Sequence, residues 1–252
     1  MVLGLLAAQP LLAAQLIKVG AYHFPPYVSK PEAEQAQGLL PDLLSALNAE
    51  QGEYQFVLVP TSVTRRFRDL QSARYDLIMF ESPSWGWQNT PHETFDLQVQ
   101  DAEVYVAKAV AGRGQDYFAQ FSGKRMALYS GYHYGFAQFN ADPEYLTKQF
   151  NAVLTYSHDS NLLMVLRERA DLTVVTRSYL HHYLLRYPEQ RPQMLVSERV
   201  DQVYRHQALL RPHAPISAQA LRSLLQRLRE GGQLSALYRQ YDLTQSRQVA
   251  RP

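Results

Sequence analysis

Residues 74–80 read RYDLIMF and residues 169–175 read RADLTVV, and this repeat decides the fold. In each copy an aspartate, Asp76 or Asp171, leads from a leucine-spaced helical stretch into a run of apolar residues typical of a short buried strand. We expect both aspartates to hold strand ends by accepting hydrogen bonds from backbone amides. The repeat predicts two similar α/β lobes, and a cleft between two domains is a usual site for binding a small molecule.

Strand and helix patterns alternate along the rest of the chain. Alternating residues predict strands at 16–22 and 54–59, and the leucines within residues 39–47 fall on one face of a helix. Such an alternation is typical of a mostly parallel sheet flanked by helices. A helix in the second lobe is predicted to begin with Asp159 or Ser160 as its cap. The other predicted elements are strands at 103–110, 125–129, 153–156, 172–175 and 202–210, and helices at 179–185, 217–230 and 234–241.

Composition and charge exclude several classes of function. The net charge is +2, and the only dense basic cluster in the sequence, Arg65, Arg66 and Arg68, is too small for a nucleic-acid surface. We interpret this cluster as a solvated helix face. The chain has no cysteine, which excludes thiolate metal sites, disulfides and cysteine nucleophiles. Because metal-binding and phosphate-binding motifs are also missing from the sequence, we expect no metal, no cofactor and no nucleic-acid partner.

The amino terminus predicts export to the periplasm. Residues 1–17 are almost wholly apolar and rich in Leu and Ala, which is typical of a secretory signal peptide, and we place this peptide at residues 1–15. A buried first strand or helix is the alternative, but Gln9, Pro10 and Gln15 interrupt either one. The stretch is also short for a membrane span. No Lys or Arg precedes it, which leaves open a start further upstream or another role for the segment.

A series of short motifs follows in a definite order, and the order is more specific than any single motif. The motifs are FPPY at 24–27, GLLPDL at 38–43, the stretch 70–78, GKR at 123–125 with Gly131, the second aspartate unit at Asp171, and GQLSALY at 232–238. In this order and spacing the chain resembles the bacterial extracellular solute-binding proteins of family 3, which serve importers of polar amino acids. The resemblance spans nearly the whole chain after the amino-terminal segment.

The resemblance implies a two-lobed α/β fold, the type II periplasmic-binding-protein or Venus-flytrap fold, with two crossing strands as the hinge. We place lobe 1 at residues 16–107 and 209–252, and lobe 2 at residues 108–208. The family function implies a monomer that captures a small polar or cationic molecule for the membrane permease of an ABC importer. Closure of the lobes removes such a ligand from water, and contacts made only in the closed form drive it.

Candidate ligand-binding residues lie where predicted strands end and helices or loops begin, because open α/β sheets hold their ligands there. Closure requires contacts from both lobes. The candidates from lobe 1 are Tyr22, Phe24, Tyr27, Arg66, Glu81, Ser82, Trp85 and Trp87. The candidates from lobe 2 are Ser130, Gly131, Tyr132, His133, His158, Thr176 and Arg177.

Two departures from the family pattern argue against a standard α-amino acid as the ligand. Family members that bind α-amino acids carry an arginine for the ligand carboxylate after the first aspartate-led strand, and here Trp87 stands near its place. The family aspartate for the ligand ammonium is replaced by Thr176, followed by Arg177. Aromatic rings with Glu81 suit a cationic or planar ligand. Arg65, Arg66 and Arg177 suit an anionic one, so the sign of the ligand charge stays open.

Two other functions use the same kind of fold. The closed lobes of some such proteins are recognised by a membrane sensor instead of an importer. Some exported dehydratases also resemble this fold, and a buried carboxylate such as Glu81, near His133 or His158, would then act as acid or base. The run at 157–159 contains the residue types of a hydrolase triad, but neighbours in sequence do not converge in space. We expect a binding protein without enzymatic activity.

Overall fold

The computed structural model of the chain describes residues 13–245, and most of the predicted signal peptide, residues 1–12, lies outside them. The strands are β1 (Gln15–Ala21), β2 (Tyr54–Pro60), β3 (Leu77–Glu81), β4 (Glu93–Lys108), β5 (Met126–Tyr129), β6 (Ala152–Thr155), β7 (Leu172–Thr176), β8 (Met194–Leu210) and β9 (Thr244–Gln245). The helices are α1 (Leu39–Glu50), α2 (Arg66–Gln71), α3 (Pro143–Phe150), α4 (His158–Leu166), α5 (Arg177–Arg186), α6 (Ala218–Glu230) and α7 (Gln233–Gln240).

The strands form one mixed sheet in the order β2-β1-β3-β8-β4-β7-β5-β6, and the short β9 pairs with β4. At one end β1 lies parallel between β2 and β3, and at the other end β5 lies parallel between β6 and β7. The two ends therefore repeat one three-stranded arrangement. The antiparallel pairs between named strands all involve β4 or β8. The predicted α/β fold with two mostly parallel lobes is confirmed.

The long strands β4 and β8 connect the two ends of the sheet. Residues 93–96 of β4 pair with the end of β8 that lies beside β3, whereas residues 103–107 of β4 pair with β7. The sequence predicted strands only at 103–110 and 202–210, which was too short in both cases. The omitted stretch of β4 does alternate, with Phe95, Leu97 and Val99 buried between more exposed polar residues, and this strand signal was missed. Residues 194–201 of β8 mix exposed, half-buried and buried residues without a regular period, because a ribbon between two lobes is only partly covered.

The lobe boundaries follow from where these strands change partners. Leu210 of β8 pairs with β3, whereas β4 pairs with β7 from Glu103 onward. We propose that the chain crosses between lobes near residues 97–102 of β4 and 202–206 of β8. The predicted lobe boundaries fall after residues 107 and 208, a few residues closer to the C-terminus in each strand.

The two repeated aspartates have the same structural role. The Oδ2 atom of Asp76 accepts a hydrogen bond of 2.8 Å from the amide of Lys18, in β1. The Oδ2 atom of Asp171 accepts one of 2.7 Å from the amide of Arg125, just before β5. The prediction that these aspartates hold strand ends is confirmed, and the repeat in sequence is also a repeat of contacts.

The helices cover the two ends of the sheet. In lobe 1, α1 packs against β2, α6 and α7, and the leucines predicted on one face of α1 are all buried. In lobe 2, α3, α4 and α5 pack against β5, β6 and β7. Helix α4 is capped by Ser157, whose Oγ accepts from the amide of Ser160, so the predicted cap at Asp159 or Ser160 was wrong. No helix within residues 13–245 is long and apolar enough to span a bilayer.

Candidate functional site

A small cavity, here called the inter-lobe cavity, lies between the two lobes. Its space between protein atoms is about 260 Å³, a figure that includes the part open to solvent. It is lined by Tyr22, Phe24, Val63, Arg66 and Trp85 from lobe 1, by Gly131, Tyr132 and His133 from lobe 2, and by Glu103 of β4. All of these except Val63 and Glu103 are among the residues that the sequence predicted for ligand binding.

The lobes are in close contact around the inter-lobe cavity. Gly131 has φ +81°, and a Cβ atom added to it would lie 2.7 Å from Cγ1 of Val63 in the other lobe. Gln202 of β8 accepts a hydrogen bond of 3.3 Å from Nε1 of Trp85. Its Nε2 donates over 2.7 Å to the backbone oxygen of His133. The structure therefore shows the lobes closed, with Gln202 connecting the two sides. Sequence reasoning missed Gln202, because no motif marks a glutamine within a strand.

Aromatic rings from both lobes form the walls of the inter-lobe cavity. Phe24 stacks on Tyr22 at a centroid distance of 5.8 Å. It also meets Trp85 at 5.7 Å and Tyr132 at 5.6 Å, both edge to face. Because three of these rings belong to lobe 1 and Tyr132 to lobe 2, the aromatic lining is complete only when the lobes are closed. Such rings present π faces that attract planar or cationic groups.

Arg66 and Glu81 form a buried ion pair beside the inter-lobe cavity. Their side chains are 1% and 0% exposed, and Nε of Arg66 lies 3.4 Å from Oε1 of Glu81. The other two guanidinium nitrogens donate to the backbone oxygens of Val63 and Trp85. Burial raises the pKa of Glu81, although the charge of Arg66 opposes this shift. The interpretation of Arg66 as part of a solvated helix face is wrong, because its charge is matched inside the lobe.

Glu103 is the carboxyl group that lines the inter-lobe cavity. Its side chain is 3% exposed, and Oε2 accepts a hydrogen bond of 2.7 Å from Gln202. Within residues 13–245, Oε1 has no hydrogen-bond partner and no Lys or Arg forms an ion pair with Glu103. Burial raises the pKa of Glu103 well above its ordinary value, and the charge of Asp201 adds to the shift. The only sequence feature that pointed to Glu103 was its charge, which is unusual within a predicted buried strand.

Two predicted histidines, the half-buried His133 and the buried His158, are uncharged at neutral pH because their surroundings lower their pKa values. Burial lowers the pKa of His133 to about 4, and the charge of Arg66 adds to this shift. Burial lowers the pKa of His158 to about 3, with a smaller contribution from His23. His133 lines the inter-lobe cavity, whereas His158 lines a wider groove of about 1240 Å³ between the loop after β1 and helices α4 and α5. The two histidines therefore face different spaces.

Two further candidates have structural contacts instead of lining the inter-lobe cavity. Tyr27 is fully buried and donates a hydrogen bond of 2.7 Å to Oδ2 of Asp101. Thr176 is also buried and caps α5, since its Oγ1 accepts from the amide of Tyr179 over 3.1 Å. Direct ligand contact by either residue stays a prediction.

The last candidates also lie outside the inter-lobe cavity. Trp87 is fully buried against Phe67, and Ser82 lies in the tight turn after β3. Ser130 lines a neighbouring groove, and Arg177 is exposed at the start of α5. The structure thus gathers seven of the fifteen candidates into one cavity and distributes the other eight around it.

Three solved structures place this architecture among known proteins. The substrate-binding protein of an amino acid ABC transporter matches with a TM-score of 0.65 at 15% identity, covering 90% of this chain and 98% of that chain. An ancestral amino-acid-binding protein, described as a precursor of cyclohexadienyl dehydratase, matches with a TM-score of 0.64 at 18% identity, covering 90% and 94%. A histidine kinase sensor domain similar to periplasmic binding proteins matches with a TM-score of 0.64 at 16% identity, covering 91% and 96%.

These similarities concern the fold, because the sequence identities are low. No protein-family profile matches the chain, and no curated protein matches its sequence. The matched structures share nearly their full length with this chain, including both lobes. The chain therefore has the two-lobed α/β fold of the periplasmic substrate-binding proteins, as its motif order implied.

Proposed function

We propose that this chain is a periplasmic solute-binding protein that captures a small polar ligand and presents it to the membrane permease of an ABC importer. The observation that carries the proposal is the inter-lobe cavity, which is lined by residues of both lobes and by a crossing strand. A ligand that contacts both lobes binds best when they are closed, so its binding is coupled to closure. The resulting change of shape is what a permease can recognise.

The chemistry of the inter-lobe cavity supports a ligand other than a standard α-amino acid. Arg66 is the only cationic side chain among the described residues that line it; Glu81 matches its charge, and two of its nitrogens donate to backbone oxygens of lobe 1. The cavity therefore offers a ligand carboxylate no unpaired guanidinium charge. Arg65 and Arg177, the other predicted partners for an anion, are not among the residues that line the cavity.

Sensing is the second candidate function, and the similarity to a histidine kinase sensor domain favours it. A sensor and an importer would use the same ligand site and differ only in the membrane protein that recognises the closed lobes. The dehydratase alternative receives less support, because Glu81, its proposed acid or base, is engaged by Arg66 and Trp87. Turnover of a bound compound would reverse this preference.

A thermal-shift screen tests the proposal directly. The compounds are amino acids, polyamines, quaternary amines, aromatic acids and short peptides. A compound that binds only the folded protein raises the melting temperature in a concentration-dependent way. We expect at least one class to do so, and standard α-amino acids to give weaker shifts than the best class. If none of the compounds stabilises the protein, the proposed function is contradicted.

Replacing Gly131 with alanine is expected to weaken the binding of every stabilising compound by about tenfold or more. The added methyl group would lie 2.7 Å from Val63, and overpacking of this kind costs about 1–3 kcal/mol. The clash destabilises only the closed form, because opening separates the two residues. Isothermal titration calorimetry measures the affinities.

Gly112→Ala is the matched control for this substitution. Gly112 has φ +79°, nearly the value at Gly131, but a Cβ atom there meets nothing within 4 Å. Both variants therefore carry similar backbone strain, and only one carries the inter-lobe clash. Equal affinities in the two variants would show that closure at Gly131 is not needed for binding.

A further inference from the structure

The charges around the inter-lobe cavity leave one carboxyl group without a cation. Arg66 is matched by Glu81, and burial holds His133 neutral. Glu103 is the only acidic residue among those that line the cavity, and its Oε1 atom has no partner within residues 13–245. The cavity therefore offers an acceptor that a positively charged ligand would satisfy.

The rings beside Glu103 point to the same kind of ligand. Four aromatic rings line the inter-lobe cavity. The ring centroids of Tyr22, Trp85 and Tyr132 each lie within 6 Å of the ring centroid of Phe24. The face of an aromatic ring is electron-rich, so it attracts a cation and repels an anion. An aromatic wall with one buried carboxyl group suits an organic cation better than an anion.

A carboxylate on the ligand would meet no unmatched positive charge among the described residues that line the inter-lobe cavity. The charge of Arg66 is matched by Glu81, two of its N–H groups donate to backbone oxygens, and ionised Glu103 would repel a second negative charge. The charges around the inter-lobe cavity and its aromatic lining thus restrict the ligand in two ways.

We propose that the ligand is a compact organic cation without a carboxylate, such as a small guanidinium or quaternary ammonium compound, bound between Glu103 and the aromatic rings. This inference rests on the proposed function, since it assigns the ligand class of the same cavity. Glu103 must be ionised to pair with the cation. The proton that leaves the carboxyl group on binding goes to the buffer.

Binding of such a cation is expected to weaken as the pH falls, because Glu103 must be ionised to pair with it. Asp101 and Asp201, from the two crossing strands, oppose its ionisation, while Arg66 and the neutral His133 face it across the inter-lobe cavity. Because the pKa of Glu103 is raised, more of the free protein is protonated there at lower pH and must release a proton to bind. Calorimetry in two buffers of different ionisation enthalpy measures this release.

Matched pairs of compounds test the ligand class by calorimetry on the full chain. Methylguanidine is compared with guanidinoacetate, and choline with glycine betaine, because each pair differs mainly in the presence of a carboxylate. We expect the compound without a carboxylate to bind about tenfold tighter or more in at least one pair. Tighter binding of the carboxylate compound in both pairs, or binding by none of the four, overturns the assignment.

Glu103→Gln tests the residue itself. The amide keeps the shape and removes the charge, so affinity for the cation is expected to fall about 10- to 100-fold. Glu198→Gln, at an exposed carboxylate of β8, is the control and should leave affinity unchanged. Thermal melting of both variants verifies that they are folded. Unchanged binding in folded Glu103→Gln overturns the assignment.

These outcomes separate the two proposals. If the cations do not bind but another class stabilises the protein in the wider screen, the ligand class is wrong and the solute-binding function stands. If no class stabilises it, the function itself is wrong.

Discussion

Replacing Arg66 with methionine is expected to lower the free energy of unfolding by about 3–5 kcal/mol at pH 7, because it leaves a buried carboxylate without its cation. Glu81 is 0% exposed, and Nε of Arg66 lies 3.4 Å from it. After the substitution, Trp87 would still donate its hydrogen bond of 2.8 Å to Oε2 of Glu81. One hydrogen bond cannot compensate the buried carboxylate of Glu81 for the loss of the Arg66 charge.

The loss should depend on pH in a direction that identifies Glu81 as its cause. Burial already raises the pKa of Glu81 above 4.5 in the folded chain, and removal of Arg66 raises this pKa further. An acid with a higher pKa in the folded state destabilises the fold increasingly as the pH rises above its unfolded pKa. The deficit of Arg66→Met should therefore shrink as the pH is lowered from 7 toward 4.5.

Urea unfolding across this pH range measures the effect, and a double variant is the control. Arg66→Met combined with Glu81→Gln removes both charges, and we expect it to recover most of the loss at pH 7. An equal loss in the single and double variants, independent of pH, would show that the charge pair is not what stabilises this part of lobe 1.

Replacing Asp101 with alanine is expected to cost about 2–6 kcal/mol, because it removes the acceptor that two buried hydroxyl groups share, at about 1–3 kcal/mol for each hydrogen bond. The Oδ2 atom of Asp101 accepts from Tyr27 of lobe 1 over 2.7 Å and from Ser178 of lobe 2. Asp101 itself lies in the crossing strand β4. One carboxyl group thus connects both lobes to the hinge.

His206 extends this connection to the second crossing strand, β8. Its Nε2 atom lies 2.6 Å from the hydroxyl of Tyr27. Because that hydroxyl donates its single hydrogen to Asp101, the imidazole donates to the hydroxyl. Burial lowers the pKa of His206 to about 3, so the ring is neutral at physiological pH. The four side chains form one chain of hydrogen bonds across the hinge.

Chemical denaturation measures the cost at Asp101, and Glu93→Ala is the matched control. Glu93 is an exposed acidic residue of the same strand, and surface substitutions of this kind usually change stability by about 0.5 kcal/mol or less. A loss at Asp101 no larger than the loss at Glu93 would contradict the structural role of the hydrogen-bond chain.

The lobes and the general position of the site could be predicted from the sequence, because both depend on local patterns. The repeated aspartate before an apolar strand predicted two lobes, and it marks the same amide contact in both. Tyr22, Phe24 and Tyr132 were found because they follow strands, and the ends of parallel strands meet at a cleft. Repeated sequence motifs, and residues that directly follow strands, can therefore be identified without coordinates.

The charge arrangement could not be predicted, because it depends on contacts between distant residues. Arg66 lies in a basic run of the kind usually found on a surface, and nothing local shows that it turns inward to meet Glu81. Glu103 lies within a strand predicted from its apolar neighbours, so its position at the inter-lobe cavity follows only from the pairing of β4 with β7 and β8. The proposed sign of the ligand charge depends on these two residues.

If a ligand closes the two lobes, the distance between them shortens on binding. The chain has no cysteine, so Arg68→Cys on α2 and Gln149→Cys on α3 introduce two unique, exposed sites for spin labels. Pulsed electron spin resonance measures their separation with and without a compound that raises the melting temperature. We predict a shorter and narrower distance distribution when the compound is bound, and no such change in Gly131→Ala. An unchanged distribution at saturating compound would contradict the account.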